Sequence, residues 1–600
     1  MTARENHFMK RPQLVAAALC VIAALLTLVF ILLNGVNVPF ADEWWYAGLV
    51  KSVETGQASF INFWAPNNEH RMVIPRLEFS TLAVLTHWNS KVIMIVAWLV
   101  IAIVMLFLYS QFKMIFSRAY PILWAVIVGV SAMALFSLVQ LENWLWAYQF
   151  AFFFIQLAVV VSLFLLCRSS ISLWLRLLAA NALAMAASFS SAQGLLVWPV
   201  LVLSLCLTND SLKKKVIGVL CFLIFAGFTF SLYVHGMVHS TDLQLRTDQI
   251  VAKPLVPVFA FLGLVGNPLA YWISFEHRPH RAWFIGLFET IVFLFLTWIV
   301  IRRRKLPEAA PWLGLGVYAY LFCLATTYGR LGGMGYTGGF LTSRYTTHVT
   351  LLSVAILGVL FITLNDSDQQ PIQYAPWLNR ARVPAAFCVV FGIAALLVIG
   401  DMYAFKSGVI ERRDRFLAKR LVPFFMYFDP EVDGTATGPF YPLCPLRCMR
   451  ILDIGLKQLS EDGYFRQVRD VRFADSGSEV TGSYTFSRIL EKQRYLGIVE
   501  QGWTLSGTVT FGPGFTADLM FVKPVERDAF IAATQLQQIP HAGKAEYSCQ
   551  WSLFLSPFIL PDPGIPLEMW VYNKRANEFV KIRQNSERFQ EADNSGKQGG

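Results

Sequence analysis

The residues best suited to chemistry lie in four short segments. The first, "ADEWWY", sets Asp42 and Glu43 beside Trp44 and Trp45, just past a long apolar run. Adjacent helical residues do not share a face, so one acid can aim into a cavity while the other holds the loop. A single poised carboxylate can take a proton from an attacking hydroxyl as a general base. The competing reading is an interfacial aromatic belt with solvated acids beside it. The second segment, "FWAPNNEHRMVIPR", concentrates Asn67, Asn68, Glu69, His70 and Arg71. Glu69 and His70 are metal-ligand types without a third, so a network that orients a substrate is the better functional reading. A plain solvated loop is the alternative.

The third segment, "QLENWLWAYQ", holds Glu142, Asn143 and Gln149 among Trp144, Trp146 and Tyr148. Aromatic faces beside polar edges suit a sugar ring, although an aromatic belt accounts for the same composition. The fourth, "TTYGRLGGMGYTGGFLTSRYTTH", carries Arg330 and Arg344, with Tyr345 next to the latter. Arginine binds phosphate with a planar fork and stays charged. An arginine that snorkels to lipid headgroups is the alternative.

These segments hang on a chain built for a bilayer. Of its 600 residues, 56% are hydrophobic and only 15% charged. Residues 14–33 hold no charge, and a run of roughly 20 such residues spans a bilayer core. That run is too long for a cleavable signal, which predicts an uncleaved first span. The net charge of +11 does not mark a nucleic-acid binder. Lys and Arg instead cluster in short loops between apolar blocks, as at Lys213, Lys214 and Lys215 and at Arg302, Arg303, Arg304 and Lys305. This is the positive-inside pattern, and it places those loops and the N-terminus in the cytoplasm.

Apolar blocks predict crossings near 14–34, 92–112, 120–139, 149–167, 173–190, 194–208, 216–234, 283–301, 311–327, 348–364 and 383–402. The block 255–275 is interrupted by Pro257, Gly263, Gly266 and Pro268. The basic loops on either side of it require an even number of crossings between them, so it is expected to be re-entrant or to lie at the outer surface. The count is then about eleven, with the C-terminus outside. The outer segments include the first loop, 36–91, which ends in an amphipathic pattern at 77, 79, 82, 83, 85 and 88 expected to lie in the interface.

Residues 403–474 read as a mixed helical connector with a Pro/Gly-rich stretch at 429–445. From 475 to 585 short β-branched and aromatic runs alternate with turn residues, which predicts an antiparallel β-sandwich. Residues 586–600 form a polar tail of disordered composition. Six of the nine cysteines lie in or beside apolar blocks, and the "CPLRC" pair, Cys444 and Cys448, is free to form a disulfide if this part is extracytoplasmic.

The segments "FADEWWY", "NNEHRMVIPR", "NWLWAYQ", "SSAQGLLVWP", "FLGLVGNP" and "GRLGG…SRY", with their place among the spans, resemble a bacterial branch of the GT-C superfamily of integral-membrane glycosyltransferases. The similarity covers residues 1–402. It implies a polytopic α-helical membrane protein of the inner membrane, with a β-sandwich-like extracytoplasmic domain at its C-terminal end. The implied donor is a sugar on a polyprenyl phosphate, and the acceptor a glycan, lipid or protein. In that superfamily an acid of the first outer loop serves as catalytic base or metal ligand. The matching position is Asp42, with Glu43 beside it and Glu142 as a candidate second acid. Arg330 and Arg344 match the carrier phosphate. A divalent metal is the one cofactor left open, with no full ligand set matched. The rival readings are a flippase for lipid-linked oligosaccharide and a polysaccharide polymerase or ligase.

Overall fold

The computed structural model describes residues 3–117, 119–237, 244–364, 376–428, 440, 442–443, 454–455, 458–459, 464, 468, 471–474, 480–493, 499–512, 515–539, 547–555 and 565–589. The Cys444–Cys448 pairing, most of the 429–445 stretch and the tail from 590 lie outside them. The chain forms two compact units. One comprises Met1–Asn37 and Thr55–Val409, the other Val38–Glu54 and Ile410–Gly600. The acidic segment of the first loop is therefore part of the second unit.

The first unit is a polytopic helical membrane bundle. Among the described residues nine helices are long and apolar enough to cross: Arg11–Asn34, Ser90–Met114, Pro121–Trp144, Ala147–Leu166, Leu212–Val234, Arg278–Arg302, Leu306–Met334, Ser343–Leu364 and Arg382–Tyr427, the last continuing past the unit boundary. Three shorter apolar helices accompany them: Leu173–Ser188, Ala192–Leu207 and Leu255–Ala270. At ~1.5 Å per residue, the 16-residue helix Leu173–Ser188 reaches about 24 Å, short of a ~30 Å hydrocarbon core. Two crossings expected from the sequence, 173–190 and 194–208, thus fall among the short helices. Every residue of the Thr346–Leu364 helix is buried, so it runs through the middle of the bundle.

The block 255–275 is not broken where its Gly and Pro residues suggested. Leu255–Ala270 is one helix with Pro268 near its end. Pro257 falls in the first turn, where a missing N–H costs nothing. Its glycines serve packing instead. A Cβ on Gly266 would come within 2.3 Å of the Ala282 carbonyl oxygen, and one on Gly286 within 1.9 Å of the Leu262 oxygen. Backbone lies against backbone at this crossing, which only small residues permit. The stretch expected to be an amphipathic helix does form one, Val73–Thr86, which buries Phe79 and Ala83 and exposes Leu77 and Leu85.

In the second unit the helix Pro376–Leu421 runs on through the expected connector and ends in a 3-10 turn, Val422–Tyr427. The ten strands that follow are β1 (Arg472–Ala474), β2 (Val480–Gln493), β3 (Val499–Phe511), β4 (Leu519–Pro524), β5 (Ala532–Gln535), β6 (Gln537–Ile539), β7 (Tyr547–Leu555), β8 (Leu567–Asn573), β9 (Glu578–Lys581) and β10 (Arg583–Phe589). They form two five-stranded sheets, ordered β1-β9-β8-β4-β5 and β10-β2-β3-β7-β6. Leu505, Val509 and Leu553 from one sheet and Met520, Val522 and Val571 from the other share a core, which makes this a sandwich. It is mixed rather than wholly antiparallel, because β1 pairs parallel to β9 and β10 parallel to β2. The opposite face of the first sheet is aromatic. Phe424 of the 3-10 turn packs there against Phe521 and Tyr572, with centroids 5.3 and 4.7 Å away.

Candidate functional site

Three polar constellations carry the candidate residues, one in the second unit and two in the first. In the second unit Ala41–Tyr46 forms a 3-10 turn. Glu43 is fully buried, and its Oε2 accepts the Phe40 N–H at 3.3 Å. The charge sits at the N-terminal end of the turn, where exposed N–H groups favour an anion. Trp44 is also buried, with its indole N–H on the Leu443 carbonyl at 3.3 Å. Neither residue presents a surface to a substrate in this structure. Asp42 is half-buried and Trp45 is 61% exposed. Of the first-loop pair, Asp42 is the acid that keeps access.

In the first unit the turn 137–149 meets the start of the central helix. Glu142 is buried, and its Oε2 accepts the Thr342 hydroxyl at 3.1 Å and the Arg344 N–H at 3.2 Å. It caps the turn leading into Thr346–Leu364, as a carboxylate at a helix N-terminus should. Asn143 donates from Nδ2 to the Arg344 carbonyl at 2.9 Å and to the Thr347 hydroxyl at 2.6 Å. Arg344 is thus held at both its N–H and its C=O, and its guanidinium lies 5.4 Å from the Tyr345 ring. Trp144 offers no open face for a sugar. It is fully buried, stacked on Phe153 at 4.3 Å, with its N–H on the Ser137 carbonyl. Gln149 and Tyr345 are buried as well.

Glu69, His70 and Arg330 come together on the same unit. The Glu69 carboxylate pairs with the Arg330 guanidinium and lies 3.3 Å from His70 Nε2. His70 Nδ1 receives the Ala192 backbone N–H at 3.2 Å. A backbone N–H only donates, so Nδ1 is the acceptor and Nε2 carries the proton toward Glu69. Ser191 Oγ is also 3.3 Å from Nδ1, which has the outline of a Ser–His–acid triad. The outline does not amount to one. Ala192 occupies the single Nδ1 lone pair, and the Ser191 hydroxyl is turned to Gln193 Oε1. The cluster is an ion-pair site with a fixed imidazole, and its Glu69 side chain is 40% exposed.

Arg71 is a correction to the sequence reading. It is 1% exposed, and its guanidinium is enclosed by the carbonyls of Trp64, Tyr233 and His235, with the Trp64 ring 4.6 Å away. It fastens the first loop to the end of the Leu212–Val234 helix rather than facing a substrate. Asn67 shapes the adjacent turn through a reciprocal backbone bridge with His70.

Three residues that the sequence did not single out support the 137–149 and 341–344 turns. Asp401 Oδ1 accepts the Ser137 hydroxyl at 2.5 Å and the Leu138 N–H at 2.7 Å. Asn267 donates to the carbonyls of Leu341 and Thr342, at 3.3 and 3.1 Å. Arg278, buried, donates to Leu341 and stacks over Tyr271 at 4.1 Å. Asp401 and Asn267 had one available signal, a polar residue inside an apolar block, which marks a partnered and functional position by default.

Among the described residues no three His, Cys, Asp or Glu side chains gather to hold a metal ion. The donor set near Glu69 and His70, with an arginine as its third member, does not fit a divalent cation. Comparisons of the chain with protein-family models, curated proteins and solved structures find no match.

Proposed function

We propose that this protein is a membrane glycosyltransferase that moves a sugar from a polyprenyl-phosphate carrier to a glycan, lipid or protein acceptor at the outer face of the inner membrane. One observation carries the reading. Of the three candidate acids, Glu43 and Glu142 are buried, while Asp42 is half-buried beside an exposed tryptophan. A base must reach the proton that it removes.

In this reading Asp42 takes the proton of the acceptor hydroxyl as that oxygen bonds to the anomeric carbon. The bond from the anomeric carbon to the phosphate oxygen breaks, and the carrier phosphate leaves with the electron pair. A leaving phosphate calls for a guanidinium partner, and Arg344 and Arg330 of the first unit are the candidates for that role. One such donor is worth about 3–4 kcal/mol in comparable oxyanion sites. Pinning of the Arg344 peptide by Glu142 and Asn143 supports a fixed role for its side chain. The pairing of Arg330 with Glu69 gives that arginine a resting partner, which a phosphate would displace. The long apolar helices are suited to the carrier's hydrocarbon tail.

The test is transfer of labelled sugar from a panel of native lipid carriers by the purified protein and by Asp42→Asn, each checked for folding. The reading expects transfer by wild type and a loss of about 10²-fold or more in the variant. Equal transfer by both removes Asp42 as the base. No transfer by folded wild type across the panel defeats the reading.

A further inference from the structure

The segment that bears Asp42 is shaped by residues some 400 positions away in the sequence. The Leu443 carbonyl accepts two donors from it, the Ala41 N–H at 2.7 Å and the Trp44 indole N–H at 3.3 Å. Ala41 sits at φ 48, a left-handed conformation that costs a non-glycine residue about 1 kcal/mol or more and persists only where its surroundings impose it. Gly455 closes on Trp44 from another direction. A Cβ there would lie 3.1 Å from both the Trp44 ring and its carbonyl oxygen.

The third contact is a cation–π one. Arg415, near the end of the long helix, sets its guanidinium 3.7 Å over the Phe40 ring, next to the turn. The same guanidinium donates to Glu411 Oε2 at 3.0 Å, and both side chains are buried. A buried ion pair contributes little net stability, because desolvation offsets its attraction. It does fix the plane of the guanidinium, and that plane fixes the Phe40 ring from which the Asp42 turn departs.

We propose that Glu411 and Arg415 are positioning residues for Asp42, so that they, with Leu443 and Gly455, complete the acid-bearing turn of the first loop. This inference rests on the reading of Asp42 as the base, but its structural half stands without it. The pair Glu411–Arg415 orients Phe40, Leu443 holds Ala41 and Trp44, and Asp42 lies between these anchors.

The experiment replaces the pair in the full-length protein by Glu411→Leu with Arg415→Leu, which removes both charges of the pair together. Arg415→Lys is the second variant, since it retains the charge but not the planar fork. Two quantities are read: kcat and KM for sugar transfer, and hydrogen exchange of the backbone amides at 41–46. The expected result is a kcat lower by about 10²-fold with KM for the donor unchanged, together with faster exchange at Ala41, in both variants. Unchanged kcat and unchanged exchange overturn the proposal, and so does a change in KM alone. If wild type shows no transfer, the glycosyltransferase reading has failed separately. Exchange then decides the structural half, with faster exchange supporting it and unchanged exchange overturning it. If the double variant does not fold, Arg415→Lys decides between these outcomes through the same two readouts.

Discussion

The carboxylate of Glu142 accepts the backbone N–H of Arg344 at 3.2 Å, across 202 positions of sequence. This ties the turn 137–149 to the start of the buried central helix, and it makes an acid that looked catalytic into a cap. An amide oxygen at the same place still accepts from Arg344 and Thr342. Glu142→Gln should therefore keep sugar transfer within about threefold of wild type, whereas Glu142→Ala should lose about 1 kcal/mol of stability and most of the activity. Abolition of transfer by Glu142→Gln in a folded protein would return Glu142 to the role of base.

Glu43 and Asp42 should respond differently to the same change. Glu43 Oε2 holds the Phe40 N–H, so Glu43→Gln acts on the fold of the turn and should lower thermal stability with kcat nearly intact. Asp42→Asn should do the reverse. Parallel melting curves and transfer rates on the two variants separate them.

The buried pair of Arg176 and Asp210 fastens the helix Leu173–Ser188 to its neighbours. Arg176 reaches both carboxylate oxygens, at 2.8 and 2.9 Å, and the Leu166 carbonyl at 2.7 Å. The hydrogen bonds from Arg176 hold the Asp210 carboxyl below the usual aspartate range; burial opposes this, while the charges of Arg176 and Lys214 and the Thr208 hydroxyl reinforce it. A carboxyl whose folded pKa is depressed contributes stability above its unfolded value of ~3.9 and loses it as pH falls through the folded pKa. Acid titration in detergent should show a stability loss below about pH 4. Asp210→Asn should remove that component and cost about 3 kcal/mol at neutral pH by leaving Arg176 buried without its charge partner.

Gly286→Ala should part the Leu255–Ala270 and Arg278–Arg302 helices, since the added carbon meets the Leu262 carbonyl rather than a movable side chain. The expected cost is about 1–3 kcal/mol or more, read as a lower melting temperature. Gly227→Ala, on a helix position with open space around the added carbon, should have little effect and serves as the control.

The Lys523, Glu568 and Lys581 side chains form a network on the outer face of the sandwich. Burial pushes the Glu568 carboxyl up, but Lys581 at 2.6 Å and Lys523 at 3.5 Å outweigh it and hold it below the usual glutamate range. Glu568→Gln should lower sandwich stability at neutral pH by about 1 kcal/mol, and the difference from wild type should vanish once acid protonates Glu568.

Much of the architecture was legible because it depends on local composition. An apolar run of roughly 20 residues declares its solvent wherever it lies in the chain, and the helices from Arg11–Asn34 to Ser343–Leu364 follow such runs. Period-two aromatic and β-branched runs declared the strands of the sandwich just as directly. Glycine was less legible. Gly263 and Gly266 looked like breaks, but a glycine that loosens a helix and one that admits a neighbouring backbone have the same spelling. The parallel edge pairs of the two sheets were hidden for a related reason, since strand direction depends on partners rather than on pattern.

The sequence by itself determined a polytopic helical membrane chain with a β-rich end, and the short segments in which acids, arginines and tryptophans concentrate. Hydropathy and periodicity are properties of neighbours along the chain, so they survive without a fold. Only the tertiary structure decided which of those residues stay open. Arg71, Glu142 and Trp44 are buried against partners as distant as Tyr233, Ser343 and Leu443, Glu43 and Trp144 are buried as well, and Asp42 is left half-buried. Access and hydrogen bonding belong to contacts between remote segments, and desolvation at those contacts sets whether a carboxylate caps a turn or meets a substrate.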